Sequence, residues 1–363
     1  MLHKTGTETG TEQGMRTEAW LAIDTATDHM TIAVMRGMEV IAVNDTIVER
    51  NHSVRLIPEV QELLKQAGFG MRDIRAIAIG RGPGSYTGVR IGITVAKTWA
   101  WSLGLPLVSV SSIGALAFGY VRLHEQSVFD EADAVTVGES RGYAEGDIVW
   151  IVPILDARRK QVFTGLYAWQ QGSRDAQDAD ARASDDGDRE AFTADTATTG
   201  RIPFAEDGDR EASTADSEAA GRIPFADNGD RGASTANTTT IGRIPFAEAG
   251  VHGVWQQLEQ DRIILFSDWM EHIRGMLREC SESSRPQRIV LVGETDNFQE
   301  DASVLAEQTG VNMLLQQQDI HAQDIAWLAW HRLVRQEVDD IHGLVPNYTQ
   351  LAEAEQKLLS KQQ

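Results

Sequence analysis

The sequence predicts an α/β protein, because strand patterns and helix patterns alternate along the chain. Three short apolar runs come first, and the turn residues Gly37 and Met38 separate the second from the third, which predicts an antiparallel meander. A strand over 74–79 then leads through a glycine-rich turn into a helix over 89–103. Another apolar strand, over 288–293, also ends at a glycine.

The meander strands are predicted at 20–26, 31–36 and 39–43. A helix over 53–67 follows them, with Ser53 as its predicted N-cap and Gly68 as its stop. Pro58 lies inside this span, so the helix either begins near Arg55 or is kinked.

The two helices on either side of the 74–79 strand contain more apolar residues than one sheet can cover. They include Val54, Leu56, Ile57, Val60, Leu63 and Leu64 in the first, and Val89, Ile91, Ile93, Val95, Ala96, Trp99, Ala100 and Trp101 in the second. Such an excess predicts either a buried interface with another protein or a second layer of the same chain.

The second half of the sequence continues the alternation. It predicts a strand over 107–110, a helix over 111–121, a hairpin of strands 149–156 and 161–167, and helices over 268–280, 302–309 and 324–334. Residues 122–147 are acidic and irregular, which predicts a surface excursion.

Residues 171–250 differ from the rest of the chain. The stretch GRIPFA recurs at Gly200, Gly221 and Gly242, with a spacing of 21 residues. Each repeat offers too few apolar residues to offset the entropy lost on ordering, so we predict a disordered insertion that grew by tandem duplication. Residues 1–18 predict a disordered tail for the same reason.

Composition excludes several classes of function. The chain has 33 lysines and arginines against 54 acidic residues, a formal net charge of −21, so it is a poor candidate for gripping nucleic acid without a partner. Cys280 is the single cysteine, which excludes an internal disulfide and a cysteine-based zinc cluster. No apolar run approaches the roughly 20 residues of a membrane helix, and the N-terminus lacks the order of a signal peptide. We expect a cytoplasmic protein that does not contact a membrane.

Five motifs, in their order along the chain, resemble the bacterial TsaB (YeaZ) family. They are AIDTAT at 22–27, HS at 52–53, GPGSYTGVRIG at 82–92, DARR at 156–159 and PNY at 346–348. The glycine-rich stretch is highly specific to that family, and the other motifs count mainly by their order. The resemblance covers about 20–170 and 254–354.

The resemblance implies an actin-like ATPase fold of two lobes, each built on a mixed sheet of ribonuclease-H type. We assign the first lobe and its dimerisation surface to 19–110, the second lobe to 111–345 with the insertion at 171–250 inside it, and a tail to 346–363.

The resemblance also implies a function. Members of the family are accessory, non-catalytic subunits that bind a TsaD-type transferase and are required for N6-threonylcarbamoyladenosine at position 37 of tRNAs reading codons that start with A. A TsaE-type ATPase completes that complex, and the accessory subunit meets tRNA only through it.

In the family, pairing uses the helix after the meander and the helix after the glycine-rich turn, which here are the two apolar helices. The predicted partner-binding residues are Ser53, Leu56, Ile57, Val60, Leu64, Tyr86, Arg90, Ile91 and Val95. The catalytic relative binds its metal through two histidines four residues apart on a helix. Here His52 is followed at that spacing by Leu56, so we predict no metal, no cofactor and no catalytic residue.

A remnant of a nucleotide site is one interpretation of Asp24, Gly84 and Ser85. The favoured interpretation of Asp24 is that its carboxylate caps the following turn. The glycine-rich turn is not a Walker loop, because no Lys-Ser or Lys-Thr pair follows it. At the hairpin tip, Asp156 and the arginines after it either contact tRNA or a partner, or pair with one another.

Two alternatives to the accessory role stay open. The chain could be a free-standing nucleotide hydrolase or kinase relative of the actin-like class, in which case Asp24→Ala should abolish ATP turnover. It could also be a homodimeric regulatory module that uses the same helices, which light scattering with and without the transferase would separate.

Overall fold

A computed structural model describes residues 18–48, 51–125, 135–137, 146–172 and 253–349. These residues form two mixed sheets with helices packed against them, so the α/β prediction is confirmed. The tail predicted as disordered over 1–18 lies outside the described residues apart from Glu18, and so do the predicted C-terminal tail beyond residue 349 and the predicted insertion beyond residue 172. Among the described residues, no helix combines the length and the apolar character needed to cross a membrane.

The first sheet contains the predicted meander. Its strands are β1 (Ala19–Asp24), β2 (His29–Arg36), β3 (Glu39–Ile47), β4 (Ile74–Gly80) and β5 (Leu107–Val110). The strand order is β3-β2-β1-β4-β5; β1, β2 and β3 are antiparallel neighbours, and β4 and β5 continue parallel to β1. All six residues of β1 are buried, which places this strand at the centre of the core.

Helix α1 (His52–Gln66) follows β3, and helix α2 (Tyr86–Leu103) follows β4. The N-cap prediction for α1 was wrong: the helix begins at His52 with Asn51 as its N-cap, and Ser53 lies inside it. Pro58 is accommodated within the helix, which therefore begins before Arg55. Helix α2 begins three residues earlier than predicted, because the Ser85 hydroxyl caps it by accepting a hydrogen bond from the Gly88 amide.

The second sheet repeats the plan of the first. Its strands are β6 (Val135–Val137), β7 (Ile148–Asp156), β8 (Gln161–Gln171), β9 (Gly253–Leu265), β10 (Arg288–Gly293) and β11 (Asn312–Gln317), in the order β6-β11-β10-β7-β8-β9. Strands β7, β8 and β9 form an antiparallel meander, and β10 and β11 continue parallel to β7. This duplication agrees with the two mixed sheets of the predicted fold.

Two strands of this sheet correct or extend the predictions. The acidic stretch over 122–147 contains strand β6, which pairs antiparallel with β11, so it is not wholly irregular. The sequence did not predict β11, because its apolar run is only three residues long and ends at Gln316 and Gln317.

Four further helices are α3 (Ser112–Glu125), α4 (Phe266–Glu279), α5 (Gln299–Thr309) and α6 (Ala322–Val334). Helix α6 packs against β1, β2 and β5 of the first sheet, where Trp330 stacks on Trp20 with ring centres 6.0 Å apart. Helix α3 packs against β7, β8 and β10 of the second sheet and against α6. The helices that follow β5 and β11 therefore pack in a core shared by both sheets, and α4 and α5 pack with the second sheet in a separate core.

Candidate functional site

The glycine-rich turn between β4 and α2 uses its backbone amides within the chain. The Ser85 amide donates to the Ala26 carbonyl at 2.6 Å, and the Gly82 amide donates to the Ser112 hydroxyl at 3.0 Å. The Ser85 hydroxyl accepts from the Gly88 amide at 3.3 Å. A phosphate cradle needs unpaired amides that point at the ligand, and these three amides already have partners.

The glycines of this turn permit close packing against the segment that follows β1. A Cβ atom on Gly84 would lie 2.3 Å from the Ala26 carbonyl oxygen, and one on Gly88 would lie 2.2 Å from the Thr25 carbonyl oxygen. Any side chain would push these backbones apart. The Thr25 hydroxyl also donates to the Gly88 carbonyl at 2.8 Å, so the start of α2 is attached to the end of β1.

Asp24 is fully buried at the end of β1. Its Oδ1 accepts from the Ala26 amide at 2.7 Å and its Oδ2 accepts from the Ser112 hydroxyl at 2.5 Å. Burial raises the pKa of Asp24 to about 6, against the opposing effect of these two hydrogen bonds. Both carboxylate oxygens are therefore engaged in local structure, and the Ala26 contact is that of a turn-capping aspartate.

A cleft of about 530 Å³ lies where the glycine-rich turn faces the β7–β8 hairpin. Its lining includes Gly84 and Ser85 but not Asp24, which is fully buried. Four carboxylates also contribute to it: Asp28, Asp156, Glu294 and Asp319. Burial and then the neighbouring carboxylates raise the pKa of Glu294. A bare polyphosphate would meet negative charge in this cleft, and nucleotide binding at Asp24, Gly84 and Ser85 stays a prediction.

Three of the nine predicted partner-binding residues are core residues, and that part of the prediction was wrong. Leu56, Val60 and Leu64 are spaced four residues apart on α1 and are buried in the core of the first sheet. Their spacing is that of the inward stripe of an amphipathic helix. The apolar excess of α1 is thus partly explained by the chain's own sheet.

The other six predicted partner-binding residues are accessible to different degrees. Ser53, Ile57, Tyr86 and Arg90 are exposed, and Ile91 and Val95 are half-buried at the edge of the core. The prediction did not select Val54 or Trp101, whose exposed fractions are 70% and 68%. The signal that could have found them is that both are apolar yet fall outside the inward stripe of their helix.

Tyr86 and Arg90 form an exposed cluster with Tyr348 from the PNY motif. The Arg90 guanidinium lies 3.8 Å from the centre of the Tyr86 ring, and its Nε donates to the Tyr348 hydroxyl at 2.7 Å. Two hydrogen bonds hold the segment that carries Tyr348 on the protein. The Lys97 Nζ donates to the Leu344 carbonyl at 2.8 Å, and the Asn347 backbone amide donates to the Arg81 carbonyl at 2.8 Å.

A half-buried carboxylate that the sequence did not reveal connects this segment to the second sheet. Asp261 on β9 accepts hydrogen bonds from the Ser111 hydroxyl at 2.6 Å, the Tyr167 hydroxyl at 2.7 Å and the Asn347 side-chain amide at 3.0 Å. Burial raises its pKa, and these donors oppose that effect. Asp261 thereby connects the residue just before α3, strand β8 and the PNY motif around one side chain.

The tip of the β7–β8 hairpin holds three consecutive cationic residues, Arg158, Arg159 and Lys160, which we call the cationic tip. Their φ angles are 68°, 54° and 64°, so all three adopt the left-handed conformation. The Asp156 Oδ1 accepts from the Arg158 backbone amide at 2.7 Å. The Asp156 carboxylate thus pairs with the Arg158 backbone rather than with an arginine side chain, and a contact of this tip with tRNA or a partner stays a prediction.

Comparison with known proteins gives several relatives whose names refer to threonylcarbamoyladenosine in tRNA. A family model described as TsaD, tRNA N6-adenosine threonylcarbamoyltransferase, matches residues 40–128. The chain is 41% identical over 152 residues to the tRNA threonylcarbamoyladenosine biosynthesis protein TsaB of Bacillus subtilis. The matched region covers 42% of this chain and 56% of that protein. It is 43% identical over 99 residues to TsaB of Escherichia coli, which covers 27% of this chain and 42% of that protein. The chain thus spans about half the length of the curated relatives it matches.

A solved structure extends the likeness to the fold of the chain. A Pseudomonas aeruginosa protein, described as uncharacterized with similarity to peptidase YeaZ, covers 92% of this chain and 100% of its own, with a TM-score of 0.50 and 17% sequence identity. At that identity the likeness shows the fold alone. This chain is therefore similar to proteins named TsaB over about half of their length, and it shares the fold of a solved structure described as similar to YeaZ.

Proposed function

We propose that this chain is an accessory subunit of the machinery that makes N6-threonylcarbamoyladenosine in tRNA. In this proposal it docks on a TsaD-type transferase through α1 and α2 and does no chemistry itself. A TsaE-type ATPase is a further partner, and tRNA is met in the assembled complex. The observation that carries the proposal is the group of large apolar side chains exposed on these two helices, inside the segment that matches the TsaD family model.

The exposed side chains are of the type that contributes most to protein association. Val54 and Ile57 are exposed on α1, and Trp101 is exposed near the end of α2. Fully burying one such side chain contributes roughly 1.5–3 kcal/mol, and tryptophan is enriched among residues that dominate binding energy. Because α1 and α2 contact one another, one partner surface can cover side chains from both helices.

The Tyr86–Arg90–Tyr348 cluster adds a polar anchor to this surface. The arginine side chain is already held between two rings and a hydroxyl group, so less conformational entropy is lost when a partner contacts it. Arginine and tyrosine share the enrichment of tryptophan at binding hot spots. We therefore place the polar end of the docking surface at the start of α2.

The geometry of the glycine-rich turn supports docking over phosphate binding. Its amides bond to Ala26, Ser85 and Ser112, and its glycines bring β1 and α2 into contact. Both features fix the position of α2 relative to the first sheet. In this proposal the turn acts as the support of a docking helix.

Charged substitutions at the exposed apolar positions test the proposal. We expect Val54→Glu and Trp101→Glu each to weaken binding to the purified TsaD-type transferase at least tenfold, a change that corresponds to about 1.4 kcal/mol. The reason is that a carboxylate would have to be desolvated in an apolar contact. Isothermal titration calorimetry gives the affinity, and thermal melting shows that the variants stay folded. A charge at Val60 would not serve, since that side chain is buried and its replacement would destabilise the fold.

Val304→Glu is the matched control. Val304 lies on α5, is 46% exposed and is outside the segment that matches the transferase family. The Val304→Glu variant should bind the transferase with the same affinity as the unmodified chain. Equal affinities for Val54→Glu, Trp101→Glu and the unmodified chain would overturn the proposed docking surface.

A further inference from the structure

We propose that the cationic tip contacts the phosphate backbone of the tRNA when the complex engages its substrate. This inference rests on the proposed function, since it names a nucleic-acid contact within the same machinery. It concerns a different surface from α1 and α2, on the second sheet rather than the first.

The backbone of the tip is held in a conformation that its residues do not favour. An L-amino acid in the left-handed region costs roughly 1–2 kcal/mol, and here three non-glycine residues adopt it in succession. The surrounding hydrogen bonds keep them there: the Arg158 carbonyl accepts from the Gln161 amide at 2.9 Å and the Lys160 carbonyl accepts from the Phe266 amide at 3.0 Å. Glycine or asparagine would adopt this left-handed conformation at a lower conformational free energy. The backbone geometry therefore does not explain why arginine and lysine occupy these three positions.

The three side chains are exposed and available to a ligand. Arg158, Arg159 and Lys160 are all exposed, and within the described part of the chain none of them forms an ion pair. Arg158 also lines the cleft, as Tyr86 does. One of the three cations of the tip therefore lies in the cleft, and Arg159 and Lys160 are exposed beside it in the chain.

The positive charge of this tip contrasts with the negative net charge of the whole chain. With a formal net charge of −21, the chain as a whole repels RNA. Salt screens charges that are more than about 8 Å apart at physiological ionic strength, so a local cluster can still bind phosphate. Arginine binds phosphate through two parallel hydrogen bonds, and lysine adds a compact positive charge. Three cations on successive residues suit a polymer with regularly repeated negative charges.

Substitution of all three tip residues by glutamine tests the inference, because it removes charge and keeps side-chain length. The probe is an unmodified transcript of a tRNA that reads codons starting with A, and the protein is the full chain bound to the transferase. We expect Arg158→Gln/Arg159→Gln/Lys160→Gln to weaken tRNA binding at least fivefold at low salt. The slope of log affinity against log salt should fall by about 2–3, since each lost phosphate contact removes roughly 0.7–0.9.

The matched control neutralises three exposed cations elsewhere, as Arg72→Gln/Arg278→Gln/Arg335→Gln. It changes the net charge equally and should leave the tRNA affinity within twofold of the unmodified chain. Equal tRNA affinities for the tip variant and this control would overturn the inference. Loss of transferase binding by the tip variant, with tRNA affinity retained, would show that the tip contacts protein and would also overturn it.

The design separates this inference from the proposed function. Assembly of the unmodified chain with the transferase reports on the proposed function before any tip variant is compared. If that assembly fails, the same comparison is made with the full chain alone at low salt. A tip variant that then binds the transcript as tightly as the control contradicts the inference.

Discussion

At the scale of single residues, Asp24 shows how a carboxylate at the end of a strand can serve the fold. Its two oxygens accept from the Ala26 amide and the Ser112 hydroxyl, and its side chain is fully buried. The same hydroxyl accepts from the Gly82 amide, so one chain of hydrogen bonds joins β1, the glycine-rich turn and α3. Removing Asp24 would disturb the support of α2.

The raised pKa of Asp24 gives a pH-dependent stability. Between about pH 4 and pH 6 the unfolded chain loses the Asp24 proton while the folded chain keeps it, so the free energy of unfolding falls as pH rises. Above about pH 6 both states are ionised and the contribution is constant. Asp24→Asn keeps an acceptor for the Ala26 amide and cannot ionise.

We therefore expect the stability of Asp24→Asn relative to the unmodified chain to increase with pH up to about 6 and then to level off. The gain should approach roughly 1.4 kcal/mol per pH unit over that interval. Urea unfolding at several pH values between 4.5 and 7.5 measures it. A stability difference that is the same at every pH would show that Asp24 ionises as an exposed aspartate does.

At the scale of elements, helix α1 explains why the sequence overestimated the docking surface. Its apolar residues include an inward stripe and side chains outside that stripe, and composition does not separate the two. Leu56 and Val60 belong to the stripe, whereas Val54 lies outside it and is exposed. The register of a helix against a sheet is set by packing, which the chain's local sequence does not contain.

The contact between α3 and α6 depends on a buried ion pair that the sequence did not predict. The Arg122 Nε lies 2.6 Å from the Asp324 Oδ1, and both side chains are buried. Burial raises the pKa of Asp324, and the charge and hydrogen bond of Arg122 oppose this. The two residues are about 200 positions apart in the chain, so no local pattern relates them.

We expect Asp324→Leu or Arg122→Met alone to lower the free energy of unfolding by about 3–5 kcal/mol, because each breaks a buried ion pair by removing one of its two charges. The double variant should cost clearly less than the sum of the two, because it buries neither charge. Urea unfolding of the four proteins in a double-mutant cycle gives the coupling energy. Strictly additive costs would indicate that the pair does not stabilise the contact.

At the scale of the whole molecule, two mixed sheets of the same plan are joined through α3 and α6. Much of this was predictable, since the meander, the hairpin and the helices beside them have clear periodic patterns. Strand β11 was not, because Gln316 and Gln317 interrupt its apolar run, and it is identified by its pairing with β10. The same limit applies to the site: the sequence indicated the glycine-rich turn, but Asp261 acquires its role from three distant partners.

In the proposed accessory function the chain acts by docking on the transferase and makes no contribution to the chemical step. If the chain acts by docking, loss of affinity should be compensated by a higher concentration of the chain. A contribution to the chemistry itself would not be compensated in this way. This distinction makes the dose dependence of tRNA modification more informative than its presence or absence.

The most direct measurement is the rate of N6-threonylcarbamoyladenosine formation in a reconstituted reaction, as the full chain is titrated into transferase, ATPase and tRNA. We predict no formation without the chain, saturation as the transferase is filled, and for Trp101→Glu a curve shifted at least tenfold to higher concentration with the same plateau. Formation that does not depend on the chain, or a Trp101→Glu curve that coincides with that of the unmodified chain, would contradict the account.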